Sequence, residues 1–174
     1  GLPALAELSE RVFGPEDTPI LYILPEGLTR PAHLPGGVIL LPRSLIELEA
    51  PDALAGAALA EGIAAGLHDP VIPILEHAGL RASFDLLTSG NLPPEALEGY
   101  GEAFLRAAPE ALPDATLIAA FEKAQVLLSP YARWRAPSGA GVEGLVAGDP
   151  FKGLIQSPLL PDDDWIALQS VCQG

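Results

Sequence analysis

Apolar positions recur at helical spacing over most of this chain, and in short unbroken runs only near its start. Leu2, Leu5, Ala6, Leu8, Val12 and Phe13 form one face of a stretch whose other face holds Glu7, Ser9, Glu10 and Arg11. That period predicts a helix over residues 2–13, stopped by Gly14-Pro15. "TPILYIL" (residues 18–24) is β-branched and aromatic between prolines, and predicts a strand. "GGVILLP" (residues 36–42) predicts a second strand. A proline-rich connection separates the two, and they are expected to pair in a small sheet.

Helical patterns follow. Ser44 with Glu47 stands in capping-box register and predicts a short helix ending near residue 49. Asp52 is the candidate cap of a longer helix over residues 53–67. "VIPILEHAGL" predicts a short helix, or one with Pro73 in its first turn, and "RASFDLLTSG" a helix ending at Gly90. "NLPPEALEGYGEAFLRAAPE" predicts a helix opening at Pro93-Pro94, and "LPDATLIAAFEKAQVLL" one capped by Asp114. Strands come early, helices afterwards, and there is no βαβ alternation, so the expected class is α+β.

The pattern breaks near Ser129. Residues 129–174 are rich in Gly and Pro and lack a clear period, yet carry Tyr131, Trp134, Leu145, Val146, Phe151, Leu154 and Ile155. A disordered tail holds fewer apolar residues. The expectation is a domain over residues 1–128 followed by an irregular arm, packed on that domain or on a partner. The arm ends in a short helix capped by one of Asp162, Asp163 and Asp164.

Composition narrows the function. A chain of 174 residues suits one domain, or one domain and a tail, and 49% hydrophobic residues suffice for a core. Nine basic against 23 acidic residues give a net charge of -14, which disfavours nucleic acid and anionic membrane surfaces as partners. No run is long and apolar enough to predict a membrane span. The single cysteine, Cys172, excludes an internal disulfide and reads as a free thiol or an accidental intermolecular crosslink. The chain lacks methionine and begins at Gly1, as expected of a trimmed protein. The Ala, Gly, Pro and Arg-over-Lys bias suggests a GC-rich bacterial source, in the cytoplasm or, with a leader removed, the periplasm.

One ordered series points further. Leu34-Pro35-Gly36-Gly37 is followed by the apolar run 38–41, the helical pattern 44–48 and the opening of a long helix at 52–60. This series resembles the zinc metallopeptidases of the HtpX and CAAX-prenyl-protease type, closely over about 35 residues and loosely over about 100. In that family a strand ends in the Leu-Pro-Gly-Gly turn, and the later helix carries H-E-x-x-H. "LLTSGNLPPEAL" is similar to a later part of the same family. The resemblance implies a zincin-like core and a cleft that holds extended peptides.

The motif itself is missing. Aligned on Leu59-Ala60, the first histidine position holds Glu61, the general-base position Gly62 and the second histidine position Ala65. Zinc peptidases need two imidazoles one turn apart and a carboxylate between them. The family's third ligand has no clear match, Glu76 being the nearest acidic residue. His68 follows Glu61 by two helical turns, about 10 Å along the axis. A composite site of His33, Glu61 and His68 is one reading. The other has His68 ending a helix, His77 exposed, His33 filling the cleft, and Glu61 facing solvent or paired with Arg30, Arg43 or Arg133.

Other chemistry is sparse. There is no G-x-S-x-G, "PSGAGVEG" lacks the lysine of a phosphate loop, and the three consecutive aspartates lack calcium-loop spacing. "YARWR" sets two arginines beside two aromatics, to bind an anion, to stack, or to anchor the arm. The expected function is a non-catalytic, metallopeptidase-like module with no cofactor, binding a peptide or protein. Its cleft residues are His33, Leu34, Gly36, Glu61, Gly62, Ala65 and His68. The alternative is a divergent hydrolase, metal-dependent or not, using Glu61 with His33 or His68. A third reading is a subunit that assembles through its arm.

Overall fold

The computed structural model describes residues 3–16, 18–48, 50–109 and 111–171. Cys172 and the expected helix end near residue 49 lie outside them. The fold is α+β. Helix α1 (Pro3–Phe13) buries Leu5, Leu8 and Val12, the face its period marks. Strands β1 (Ile20–Leu24), β2 (Ala32–Leu34) and β3 (Val38–Pro42) form one sheet in the order β1-β3-β2. β3 runs parallel to β1 and antiparallel to β2. The early runs therefore pair as expected. β2 is too short to show a period, and only the resemblance implied it.

The β2–β3 turn is Pro35-Gly36-Gly37, with φ of 85° at Gly36 and 73° at Gly37. Glycine alone takes those angles without strain, so this turn depends on both residues. It sets the register in which His33 stands opposite Ile39, and Ile39 opposite Leu21. Cross-strand partners share a face, so His33 lies on the side of the buried Leu21, Ile39 and Leu41.

Helix α2 (Ser44–Glu47) leads into α3 (Pro51–Leu67), the central element. Every residue of α3 from Ala53 to Ala60 is buried, as small side chains allow neighbouring helices to come close. The expected side-chain caps are absent. Arg43, Ala50 and Pro113 occupy the N-cap positions of α2, α3 and α6 (Asp114–Ala124), and none makes a capping bond through its side chain. Pro51, pre-set to helical φ, starts α3 before Asp52, so Asp52 falls in the first turn, where the helix dipole favours a carboxylate. Asp114 is placed similarly after Pro113.

Helix α4 (Val71–Ser89) carries Pro73 in its first turn and breaks at Gly79, where φ is 81° and ψ is 170°. The two expected segments are thus present, joined at that glycine. The segment beyond the break exposes Leu80, Phe84 and Leu87 by 91%, 66% and 83%, a contiguous apolar stripe at helical spacing. The single helix expected from Pro93-Pro94 is instead a 3₁₀ turn, Pro94–Leu97, and α5 (Tyr100–Arg106). Left-handed Gly99 separates them.

The arm ends in the expected short helix, but the stretch before it, expected to be irregular, also contains helices. The arm comprises most of α7 (Leu128–Arg135), α8 (Glu143–Ala147) and α9 (Asp162–Val171). Tyr131, Ala132, Leu145, Leu160, Trp165 and Leu168 join the same core as Leu8, Leu54 and Phe121. Helices this short show too few turns for a period to be read. Leu154 and Ile155, by contrast, are fully or largely exposed.

No single helix among the described residues is long and apolar enough to cross a membrane; α3 and α4 reach that measure only together and are bent by 51° between them. At the end of α6, Gln125 takes a left-handed φ of 55°. Glycine suits that position better, so Gln125→Gly is expected to raise stability by about 0.5 kcal/mol. Urea unfolding of the two proteins measures the difference.

Candidate functional site

The site forms where the sheet edge meets the second half of α3. The pleat turns His33 toward α3, and Glu61 immediately follows the buried stretch of that helix. His33 Nδ1 and Glu61 Oε1 are 2.7 Å apart, and each side chain is 18% exposed. The imidazole N–H donates to the carboxylate, which leaves Nε2 as the second ring nitrogen. The contact joins two of the residues that the sequence singled out, Glu61 and His33.

Arg30, Arg43 and Arg133 were the partners expected for Glu61, and none takes that place. Arg43 bonds Glu47 on the surface at 2.8 Å, and Arg133 is exposed. Arg30 is near enough for attraction to Glu61, without an ion-pair contact. Its guanidinium lies 3.8 Å from the centre of the Phe104 ring and donates through Nη2 to the Phe104 carbonyl at 2.7 Å. Burial pushes the Arg30 pKa down, and the Glu61 and Tyr100 charges offset part of that. Tyr100 and Tyr131 are pushed up, chiefly by burial.

Three cavities adjoin this pair. One of about 440 Å³ is lined by Arg30, His33, Glu61, His68, Tyr100 and Phe104. One of about 290 Å³ shares Arg30 and Glu61 but reaches the other way, to Tyr131, Trp134 and Arg135. The third, about 630 Å³, lies beside the turn and is lined by His33, Leu34, Gly36, Gly62 and Ala65, with Phe13.

All seven sequence-selected cleft residues therefore line cavities, but not a single one. Gly62 and Ala65 open on the turn side and Glu61 on the other, with His33 between. A Cβ on Gly62 would run into the Phe13 ring from α1, so a side chain there requires that ring to move. His68 is the C-cap of α3, as one reading had it, and lines the cavity shared by His33 and Glu61. Glu76 lines that cavity too. His77 is exposed, bonds the Glu98 carbonyl at 2.9 Å and meets Tyr100 edge-on.

A zinc site of the family's kind does not fit these residues. The three α3 positions offer one carboxylate, a glycine and a methyl group, and the carboxylate is engaged by His33. Among the described residues no three His, Cys, Asp or Glu side chains converge in a way that could hold a metal ion. No protein-family model, curated protein or solved structure matches this chain.

Sequence reasoning missed Tyr100, Phe104 and Arg135 as cavity residues. "YARWR" was the one signal, an aromatic–arginine cluster whose direction only packing sets.

Proposed function

We propose that this chain is a non-catalytic, metallopeptidase-like binding module that holds an extended peptide segment against β2. One observation carries the reading. β2 is an edge strand with no strand neighbour on its outer side among the described residues, and cavities flank its His33 on both sides. An open edge next to apolar walls suits strand addition, in which main-chain bonds give affinity and alternate side chains enter pockets. The Leu-Pro-Gly-Gly turn followed by a long helix with Glu61, Gly62 and Ala65 in the motif positions supports a zincin-like origin without the metal chemistry. The exposed Leu80, Phe84 and Leu87 favour a further contact with a partner, since solvent alone does not favour such a stripe.

The test is a titration with a panel of unstructured decapeptides, read by fluorescence anisotropy and mass spectrometry. Binding without cleavage is expected. Replacing Leu34→Asp should weaken it about ten-fold, the loss of roughly 1.4 kcal/mol. Peptides with alternate N-methylated amides should not bind, because they cannot complete the strand. Binding that ignores N-methylation would refute strand addition.

The His33–Glu61 contact favours a second reading. A carboxylate holding one imidazole nitrogen leaves the other to act as a general base on water or a substrate hydroxyl. In a hydrolase of this kind, Glu61→Gln abolishes turnover while the fold persists. Peptide cleavage lost in that variant would replace the binding reading with this one.

A further inference from the structure

The cavity of about 290 Å³ on the α7 side of Glu61 is walled by Tyr131 and Trp134 and carries Arg30 and Arg135, with Thr29 and Ser44 at its edge. Among the described residues, no carboxylate comes within ion-pair distance of either guanidinium. That is unusual in a chain with 23 acidic and nine basic residues, where Arg43 and Arg106 both have acidic partners. Among the described residues Glu61 is the one carboxylate lining the cavity, and its Oε1 is taken by His33. Among the described lining residues, two guanidinium groups thus accompany one partly engaged carboxylate, and Arg135 is also bonded to the Tyr131 side chain.

Arg30 is also incompletely bonded. Its Nη2 donates to the Phe104 carbonyl, while its Nε is buried with no acceptor. A buried donor without a partner is destabilising, and such groups call for an acceptor that the protein itself does not supply. Phe104 beneath the guanidinium fixes its plane, so its remaining N–H groups are held in place for an acceptor. The volume sits at the lower end for ligand pockets, which limits the occupant to a small molecule or a single chain end.

We infer that this cavity binds a carboxylate carried on a small flat apolar body, with Arg30 and Arg135 as its anchors and Tyr131 and Trp134 as its walls. The site is independent of strand addition at β2. The carboxylate belongs either to a free aromatic or aliphatic acid or to the C-terminal residue of a peptide.

Titration with benzoate and with benzamide, followed by amide and indole chemical shifts, tests it. Benzoate should shift the Trp134 indole and the Tyr131 amide, with benzamide at least about ten-fold weaker. Arg30→Gln and Arg135→Gln should each weaken benzoate by about ten-fold, the loss of one charge-assisted bond. Arg135 is exposed on α7, so its variant keeps the fold and remains informative if Arg30→Gln unfolds. Equal binding of benzoate and benzamide would overturn the inference. So would benzoate affinity unchanged in Arg135→Gln, or no shift at these residues by about 10 mM. An acetylated tripeptide ending in phenylalanine, with and without a C-terminal amide, identifies the source. Tighter binding of the acid than of benzoate assigns a peptide terminus, and binding of benzoate alone assigns a free acid. Peptides with amidated ends that still dock along β2 would leave the proposed function standing whatever the result here.

Discussion

Gly56→Ala is expected to lower the unfolding free energy by about 1–3 kcal/mol, although alanine gains roughly 1 kcal/mol over glycine inside a helix. The added Cβ would stand 2.6 Å from Tyr131 Cβ and 2.9 Å from Phe121 Cε1. The first of these atoms is tied to the α7 backbone, so relief requires α7 to move off α3. Two other glycines of α3 provide the contrast. Gly66 has nothing within 4 Å of the same position, and Gly66→Ala should stabilise by about 0.5–1 kcal/mol. At Gly62 the obstacle is the ring of Phe13, half-buried at the end of α1, which can swing aside. Gly62→Ala should therefore fall between the two. Urea unfolding of the three variants checks the order; a stabilised Gly56→Ala would mean that α3 and α7 are not in close contact.

Asp149→Ala should cost about 2 kcal/mol, because it strips the N-terminus of α7 of its acceptor. α7 has no side-chain cap of its own. Asp149, 20 residues away and buried, accepts from the Ser129 amide at 2.8 Å, and its other oxygen accepts from the Phe151 amide at 3.1 Å. Burial alone would raise the Asp149 pKa. Bonds from the Ser129 hydroxyl and amide, with those from the Phe151 and Leu128 amides, outweigh it and hold the carboxyl below its ordinary value. A depressed folded pKa means that the unfolded chain takes up the proton first. The contribution is complete above the unfolded value, near 3.9, and fades as pH falls through the folded value. Asp52 shifts upward, chiefly through burial, and so acts in the opposite direction. The stability difference between the parent chain and Asp149→Asn isolates the Asp149 term. It should be constant from about pH 7 to 5 and shrink below about pH 4. A difference that does not change with acid would show that the Asp149 charge does not matter.

These two residues mark where sequence reading stops. The run "ALAGAALAEGIAAG" announces a buried helix by composition, yet its glycines look alike until α1, α6 and α7 are laid against them. Asp149 lies in a Gly- and Pro-rich stretch with no period, and nothing nearby in the chain names Ser129 as its partner. β2 escaped for a related reason: three residues cannot display an alternation, so only the turn that follows them left a trace.

The chain by itself determined the α+β class, the early strands and the long apolar helix. Those follow from local order, where side-chain period and residue identity are read directly. Only the tertiary structure decided that His33 meets Glu61 across 28 residues, that Phe13 fills the space over Gly62, and that Arg135 and Arg30 line one cavity. Apolar faces repeat and so betray themselves, whereas a single polar side chain has no period, and its partner is chosen by how the helices pack.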